Sequence, residues 1–245
     1  MNNRAAQTTA QQHQAISYNW KTVGFLLFLT GIPGLPAIGI LALVLIGPDA
    51  FEGASSFINE NFYQVPAAIL WHGGAGIVFA FTMPFQFSSA LRVRQPTLHK
   101  VSGRIVVLSG CIMALSGVWM HHVVSPDAFG ARYASLIVMT VAICVSFIVA
   151  ISHAISKNLP AHRVWMLRAV AITLAAVTEL FIAIPAYLVF GQFENIAILA
   201  NRILFDYGRL IAIGMNLMIV ELLMFRKKAP ANSLPARKVY SGRSV

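Results

Sequence analysis

The segment that decides the fold runs from Ser102 to His122 and reads SGRIVVLSGCIMALSGVWMHH. It is long enough to cross a bilayer as a helix, because a spanning helix needs about 20 mostly apolar residues. The pair Ser-Gly occurs in it three times, at intervals of seven residues. Seven residues return a helix to nearly the same face. The segment therefore predicts a membrane-spanning helix with one narrow face of small residues.

The composition of the whole chain also indicates a membrane protein. Of its 245 residues, 58% are hydrophobic and only 11% are charged, whereas a soluble domain has about 25% charged residues. We predict an all-α, polytopic membrane helix bundle with six transmembrane helices, at residues 23–46, 65–87, 103–123, 131–155, 164–190 and 203–225. Glycines and prolines between residues 31 and 36 predict a kink in the first of them.

The positive charges lie mainly in the breaks after the second and fourth segments and after the sixth. By the positive-inside rule, this asymmetry places both termini in the cytoplasm and predicts a bacterial cytoplasmic (inner) membrane protein. The net charge of +10 is thus explained without a nucleic-acid partner. Residues 1–19 are predicted to be a disordered polar tail, 20–226 the transmembrane domain, and 227–245 a basic cytoplasmic tail that touches anionic lipid.

Helical periodicity places five residues of the third segment within about 40° of one another. They are His99, Gly103, Gly110, Gly117 and His121. One interpretation is close helix packing, which small residues promote in membranes. The other is a groove in which a flat ligand lies, such as a haem, a quinone or a lipid. Both interpretations stay open from the sequence.

Ionisable residues within the apolar segments fall into two layers at a rise of about 1.5 Å per residue. Such residues are costly in a bilayer and are usually functional. In the layer predicted to be outer, three histidines are candidate metal ligands, and Glu179 and Arg209 are expected to form an ion pair. The members of this layer are His72, His121, His122, Glu179, Asp206 and Arg209.

The layer predicted to be inner contains two similar stretches, LHKVSGR at 98–104 and AHRVWMLR at 161–168. Their histidines, His99 and His162, are candidate ligands of a haem or a metal. The same histidines with the arginines form a candidate site for an anion or a lipid headgroup, and simple anchoring of the helix ends is the remaining interpretation. The arginines are Arg104, Arg163 and Arg168, and Glu221 is expected to reach the interface or to pair with Arg168.

Several motifs resemble a family of bacterial multi-pass membrane proteins known as domain of unknown function 2306. The resemblance covers about residues 60–226. It implies a membrane helix bundle and points to His72, His99, His162, Arg104 and Arg168 as important positions, whereas the activity of the family is not established. The motifs are His72 with MPFQF at 83–87, Leu98-His99 with Gly103-Arg104, His162-Arg163 with Trp165-Met166 and Arg168, and Asn216 with Glu221.

Three functions are consistent with these features. The first is a haem- or metal-binding membrane protein in electron transfer or respiratory-oxidase assembly, with haem b as the candidate cofactor. The second is a carrier of a small solute or lipid that uses the intramembrane charges, and the third is a non-catalytic membrane scaffold. The motifs of soluble hydrolases and nucleotide-binding enzymes do not occur, which argues against those two chemistries. Whether the protein is an enzyme, and which proteins it binds, stays open from the sequence.

Overall fold

The computed structural model describes residues 18–49 and 58–228, and all regular elements in these two ranges are helices. The short break at Gln95 divides the described helices into a first and a second half. The first half contains α1 (Trp20–Ile46), α2 (Asn61–Gln64), α3 (Pro66–Thr82), a 3₁₀ helix (Met83–Phe87) and α4 (Ser89–Arg94). The second half contains α5 (Pro96–Val124), α6 (Ala131–Ile155), α7 (Leu159–Thr173), α8 (Ala175–Phe190) and α9 (Glu194–Lys228).

The described helices contain up to six spans. Helices α1, α5, α6 and α9, and α3 together with its 3₁₀ extension, are each long and apolar enough to cross a membrane. Helices α7 and α8 meet the same criteria only as a pair, which is bent by 42°. The predicted all-α membrane bundle is therefore confirmed, with the fifth span divided into two helices.

The bundle is built around the contact between α3 and α5. Helix α1 packs on the other side of α3, α6 packs on α5, and α7 and α9 pack on α6. At the centre, the fully buried ring of Phe147 meets Phe79 edge to face, with 6.3 Å between the ring centroids. Such pairs add to the stabilisation from burial, so α3 and α6 are joined through the small residues of α5 between them.

Helix α1 continues without a break through Pro33 and Pro36, which membrane helices tolerate when neighbours satisfy the freed backbone groups. The kink predicted within this span stays a prediction. A break that the sequence did not predict occurs at Leu174, between α7 and α8. No glycine or proline marks this position in the sequence.

The predicted tails lie mostly outside the described residues, which exclude 1–17 and 229–245. Two residues assigned to the N-terminal tail are described and make contacts. Tyr18 stacks on Trp20 with ring centroids 5.5 Å apart, and the Asn19 amide donates to the carbonyl of Phe87 at 2.9 Å. The start of α1 is thereby attached to the end of the second span.

Candidate functional site

The residues at one end of the bundle are rich in arginine, lysine and histidine. We call this the basic end; it contains the 3₁₀ helix, α4, the start of α5, the end of α6 and the start of α7. Local capping fixes the helix starts there. The Ser88 hydroxyl accepts from the Leu91 amide, and the Asn158 side chain accepts from the Ala161 amide. Such caps stabilise a helix start by roughly 1 kcal/mol, and they determine which side chains face each other.

Four side chains of the basic end form what we call the cationic cluster: Arg92 of α4, His99 of α5, and His162 and Arg163 of α7. The charge of Arg92 acts on both His99 and Arg163, and His162 also acts on His99. Burial, and next the neighbouring charge of Arg163, lower the pKa of Arg92. An arginine nevertheless stays protonated, so the cluster concentrates positive charge.

Two nitrogen atoms of the cationic cluster are buried without a hydrogen-bond partner: Nε of Arg92 and Nδ1 of His99. Each buried polar group without a partner costs about 1–3 kcal/mol. The ion pairs found within residues 18–49 and 58–228 use other arginines, Arg168 and Arg209. Within the described residues, the protein therefore provides no hydrogen-bond partner for these two buried nitrogens of the cationic cluster.

The ring of His162 is held in one orientation. Its Nδ1 lies 2.8 Å from the carbonyl oxygen of Ala150, and because a carbonyl only accepts, Nδ1 carries the hydrogen. In the neutral ring, Nε2 then has the lone pair, and in the protonated ring it is a second donor. His162 is therefore oriented for a ligand by a backbone contact between α6 and α7.

The three arginines of the predicted anion site have different surroundings. Arg163 belongs to the cationic cluster, whereas Arg168 pairs with Glu221 at 2.7 Å and lies over the ring of Trp165. The pairing of Glu221 with Arg168 is one of the two expected outcomes and is confirmed. Arg104 is exposed and lies about 140° around α5 from His99. The structure thus brings only Arg163 together with the two histidines.

The glycine face of α5 is covered by side chains of its neighbours. A Cβ atom would lie 3.2 Å from Oε1 of Gln86 at Gly103, 2.6 Å from Cε2 of Phe147 at Gly110, and 3.3 Å from Cε1 of His72 at Gly117. These side chains come from α3, its 3₁₀ extension and α6. The contacts favour the packing interpretation over a flat ligand along the face.

His72 and the two histidines at the end of α5 have separate partners. Nδ1 of His72 donates to the carbonyl of Met113 at 2.8 Å. Nε2 of His121 lies 2.9 Å from the carbonyl of Ala128, and Nε2 of His122 lies 3.2 Å from the hydroxyl of Tyr133. Within the described ranges, no three His, Cys, Asp or Glu side chains are grouped to hold a metal ion.

The opposite end of the bundle contains the expected ion pair. Nε of Arg209 lies 3.7 Å from Oε2 of Glu179, and this prediction is confirmed. Gly208 permits the approach, because a Cβ atom there would lie 3.2 Å from Cγ of Glu179. Asp206 lies in the same region of α9, and its backbone carbonyl accepts a hydrogen bond from the hydroxyl of Ser135 at 2.8 Å.

One residue of the cationic cluster was missed by the sequence reasoning. Arg92 was counted only as an orienting charge, although its position in the break before α5 is a signal that it faces the start of that helix. Gln86, which the sequence indicated only as part of the MPFQF motif, donates to the hydroxyl of Ser102 at 2.7 Å, and this hydroxyl donates to the carbonyl of Leu98. The contact between Gln86 and Ser102 attaches the end of the second span to the first turns of α5.

A family model described as "Predicted membrane protein (DUF2306)" matches residues 69–224. The match includes the whole cationic cluster, His72, and the two ion pairs. Comparison with curated proteins gives no match, and comparison with solved structures gives none either.

Proposed function

We propose that this chain, which belongs to the DUF2306 family of predicted membrane proteins, binds a phosphate group at the cationic cluster. The observation that carries this proposal is the grouping of two arginines and two histidines, in which Arg92 Nε and His99 Nδ1 are buried without hydrogen-bond partners. A bound anion supplies both the opposite charge and the missing acceptors.

The number of donors favours phosphate over a carboxylate. A carboxylate offers two oxygens, whereas inorganic phosphate or a phosphate monoester offers at least three strongly accepting oxygens and more than one negative charge. Arginine matches the geometry of phosphate with two parallel N–H groups. Two arginines and two histidines from three helices are therefore suited to surround one phosphate group.

The position of the cationic cluster indicates from where the ligand binds. The cluster lies where α4 ends and where α5 and α7 begin. Trp165 follows in the next turn of α7, as is common at a membrane–water interface. We propose that this end faces the cytoplasm, as the positive-inside rule favours. The phosphate then belongs either to a lipid headgroup of that leaflet or to a small molecule in solution.

Native mass spectrometry of the purified protein tests the lipid source. We expect retention of phosphatidic acid in preference to an uncharged diacylglycerol, because only the first has the phosphate monoester. Arg92→Gln and His99→Gln each remove a charge-assisted hydrogen bond worth about 1.5–3 kcal/mol. Each substitution should therefore weaken the binding of phosphatidic acid by roughly ten- to a hundredfold.

Lys100→Gln is the matched control, because Lys100 neighbours His99 in the sequence and its side chain is exposed. It removes the same charge without touching the cationic cluster, so retention should stay within about twofold of the unmodified protein. If inorganic phosphate binds at the cluster but phosphatidic acid is not retained, the ligand is a soluble phosphate compound. Equal losses in all three variants would show that only net charge matters and would contradict a defined site.

The other predicted functions receive less support from the geometry. The space beside His72 has a volume of about 190 Å³, whereas pockets for cofactors start at about 300 Å³. Side chains of Gln86, Phe147 and His72 contact the glycine face of α5. Glu179 and Arg209 pair with each other, so neither is free to bind a carried solute. Haem binding, transport and a scaffold role stay predictions.

A further inference from the structure

A cavity of about 190 Å³ lies in the middle of the bundle. It is bordered by α1, α3, α5 and α6 and by the break between α7 and α8. Met113, which lines it, is 14 positions from His99, or about 21 Å along α5, so the cavity is separate from the cationic cluster. Lining residues used below are Thr30, His72, Phe79, Met113, Thr173 and Leu174.

The helix break at the cavity wall is stabilised by a dedicated side chain. The amide of Asn216 in α9 donates to the carbonyl of Ala171 before the break at 2.9 Å. Its Oδ1 accepts from the hydroxyl of Thr178 after the break at 3.0 Å. Broken helices in membrane proteins are tolerated where they are buried in protein or line a cavity. The break at Leu174 meets both conditions.

His72 supplies an open polar group at the cavity wall. Because its Nδ1–H donates to the carbonyl of Met113, Nε2 of the neutral ring has a lone pair. No protein partner for Nε2 is found among the described residues, and Nε2 is not among the buried atoms without partners, so it is accessible. The hydroxyls of Thr30 and Thr173 at the same wall already donate to backbone carbonyls.

We infer that the central cavity is a binding site for a small uncharged molecule with one aromatic ring and one hydroxyl group. The hydroxyl donates to Nε2 of His72, and the ring packs against Phe79 and the thioether of Met113, a favourable contact. The volume equals about six waters at roughly 30 Å³ each, which admits a single ring and excludes a lipid or a haem.

The test uses 4-fluorophenol and 4-fluorotoluene as probes of nearly equal size, of which only the first has a hydroxyl. Binding to the full-length protein in detergent is followed by ¹⁹F NMR, with protein-free micelles as the blank. A single hydrogen bond should make the saturable binding of 4-fluorophenol about three- to tenfold tighter than that of 4-fluorotoluene. Equal affinities, or no saturable binding of either probe, would overturn the inference.

His72→Phe assigns the site, because it keeps a ring of similar size but has no acceptor. It should reduce the affinity for 4-fluorophenol to that for 4-fluorotoluene. Trp71→Phe is the control, since Trp71 is the sequence neighbour of His72 and its side chain is 57% exposed at the bundle surface. If His72→Phe does not fold, the comparison of the two probes on the unmodified protein decides alone. A preference for 4-fluorophenol that persists in folded His72→Phe would contradict the assignment.

Discussion

Replacement of Gly110 by leucine is expected to destabilise the protein more than any other single substitution on the glycine face of α5. A Cβ atom at this position already lies 2.6 Å from the fully buried ring of Phe147 and 3.3 Å from that of Phe79. Both rings are buried, so the leucine side chain can be accommodated only if they are displaced. Overpacking of this kind costs about 1–3 kcal/mol, and the approach of 2.6 Å favours the upper end, which lowers the midpoint of thermal unfolding by roughly 6–12 °C.

Gly74→Leu is the matched control for this prediction. It introduces the same side chain into a neighbouring spanning helix, at a position where a Cβ atom meets nothing within 4 Å. Leucine is also a better helix former than glycine, by about 0.8–1 kcal/mol. We expect its midpoint in a detergent unfolding assay to stay unchanged or to rise. Equal decreases in the two variants would contradict packing as the role of Gly110.

Replacement of Glu179 by leucine is expected to have an effect of at least the same size. It leaves the guanidinium of Arg209 without its acidic partner in a span, where the two side chains are only 20% and 21% exposed. Removing one member of a buried ion pair costs about 3–5 kcal/mol, because the remaining charge is uncompensated. Thermal unfolding of the purified variant should show this loss, and Arg202→Leu, which changes an exposed arginine of the same helix α9, should not.

A double-mutant cycle separates the ion pair from packing. Arg209→Leu alone should also destabilise, but the double variant with Glu179→Leu should recover at least about 1 kcal/mol relative to the sum of the single losses. The recovery is expected because no unpaired charge remains in the double variant. Strict additivity of the two single losses would show that the two side chains act independently.

The depth of a residue along its span was predictable from the sequence, but the neighbouring helix that its side chain faces was not. A rise of about 1.5 Å per residue placed Glu179 level with Arg209, and the two are paired. The same estimate placed His72 near the depth of His121, yet these side chains bind different partners. Shared depth does not fix the face on which a residue lies, because that depends on how the helices pack.

The position of the helix break also lay beyond the sequence. Prolines predicted a kink in the first span, where α1 is one continuous helix through Pro33. The break at Leu174 falls in a uniformly apolar stretch and depends on Asn216 of another helix, which binds on both sides of it. Such a break is a tertiary feature, so local composition does not reveal it.

The candidate site could be predicted only in part, because the packing of the helices decides which side chains meet. The similar stretches in the first turns of α5 and α7 identified His99 and His162, which the structure places in one cluster with Arg163. The sequence did not distinguish Arg92 from other orienting charges, since its role depends on the turn formed by the 3₁₀ helix and α4. It also did not show that Glu221, rather than a ligand, would neutralise Arg168.

Titration calorimetry of inorganic phosphate into the protein in an uncharged detergent tests the phosphate site most directly. The account predicts saturable binding of one phosphate per chain, weakened at least about tenfold by Arg92→Gln and unchanged by Lys100→Gln. Absence of saturable binding to the unmodified protein, or the same affinity in the Arg92→Gln variant, would contradict it.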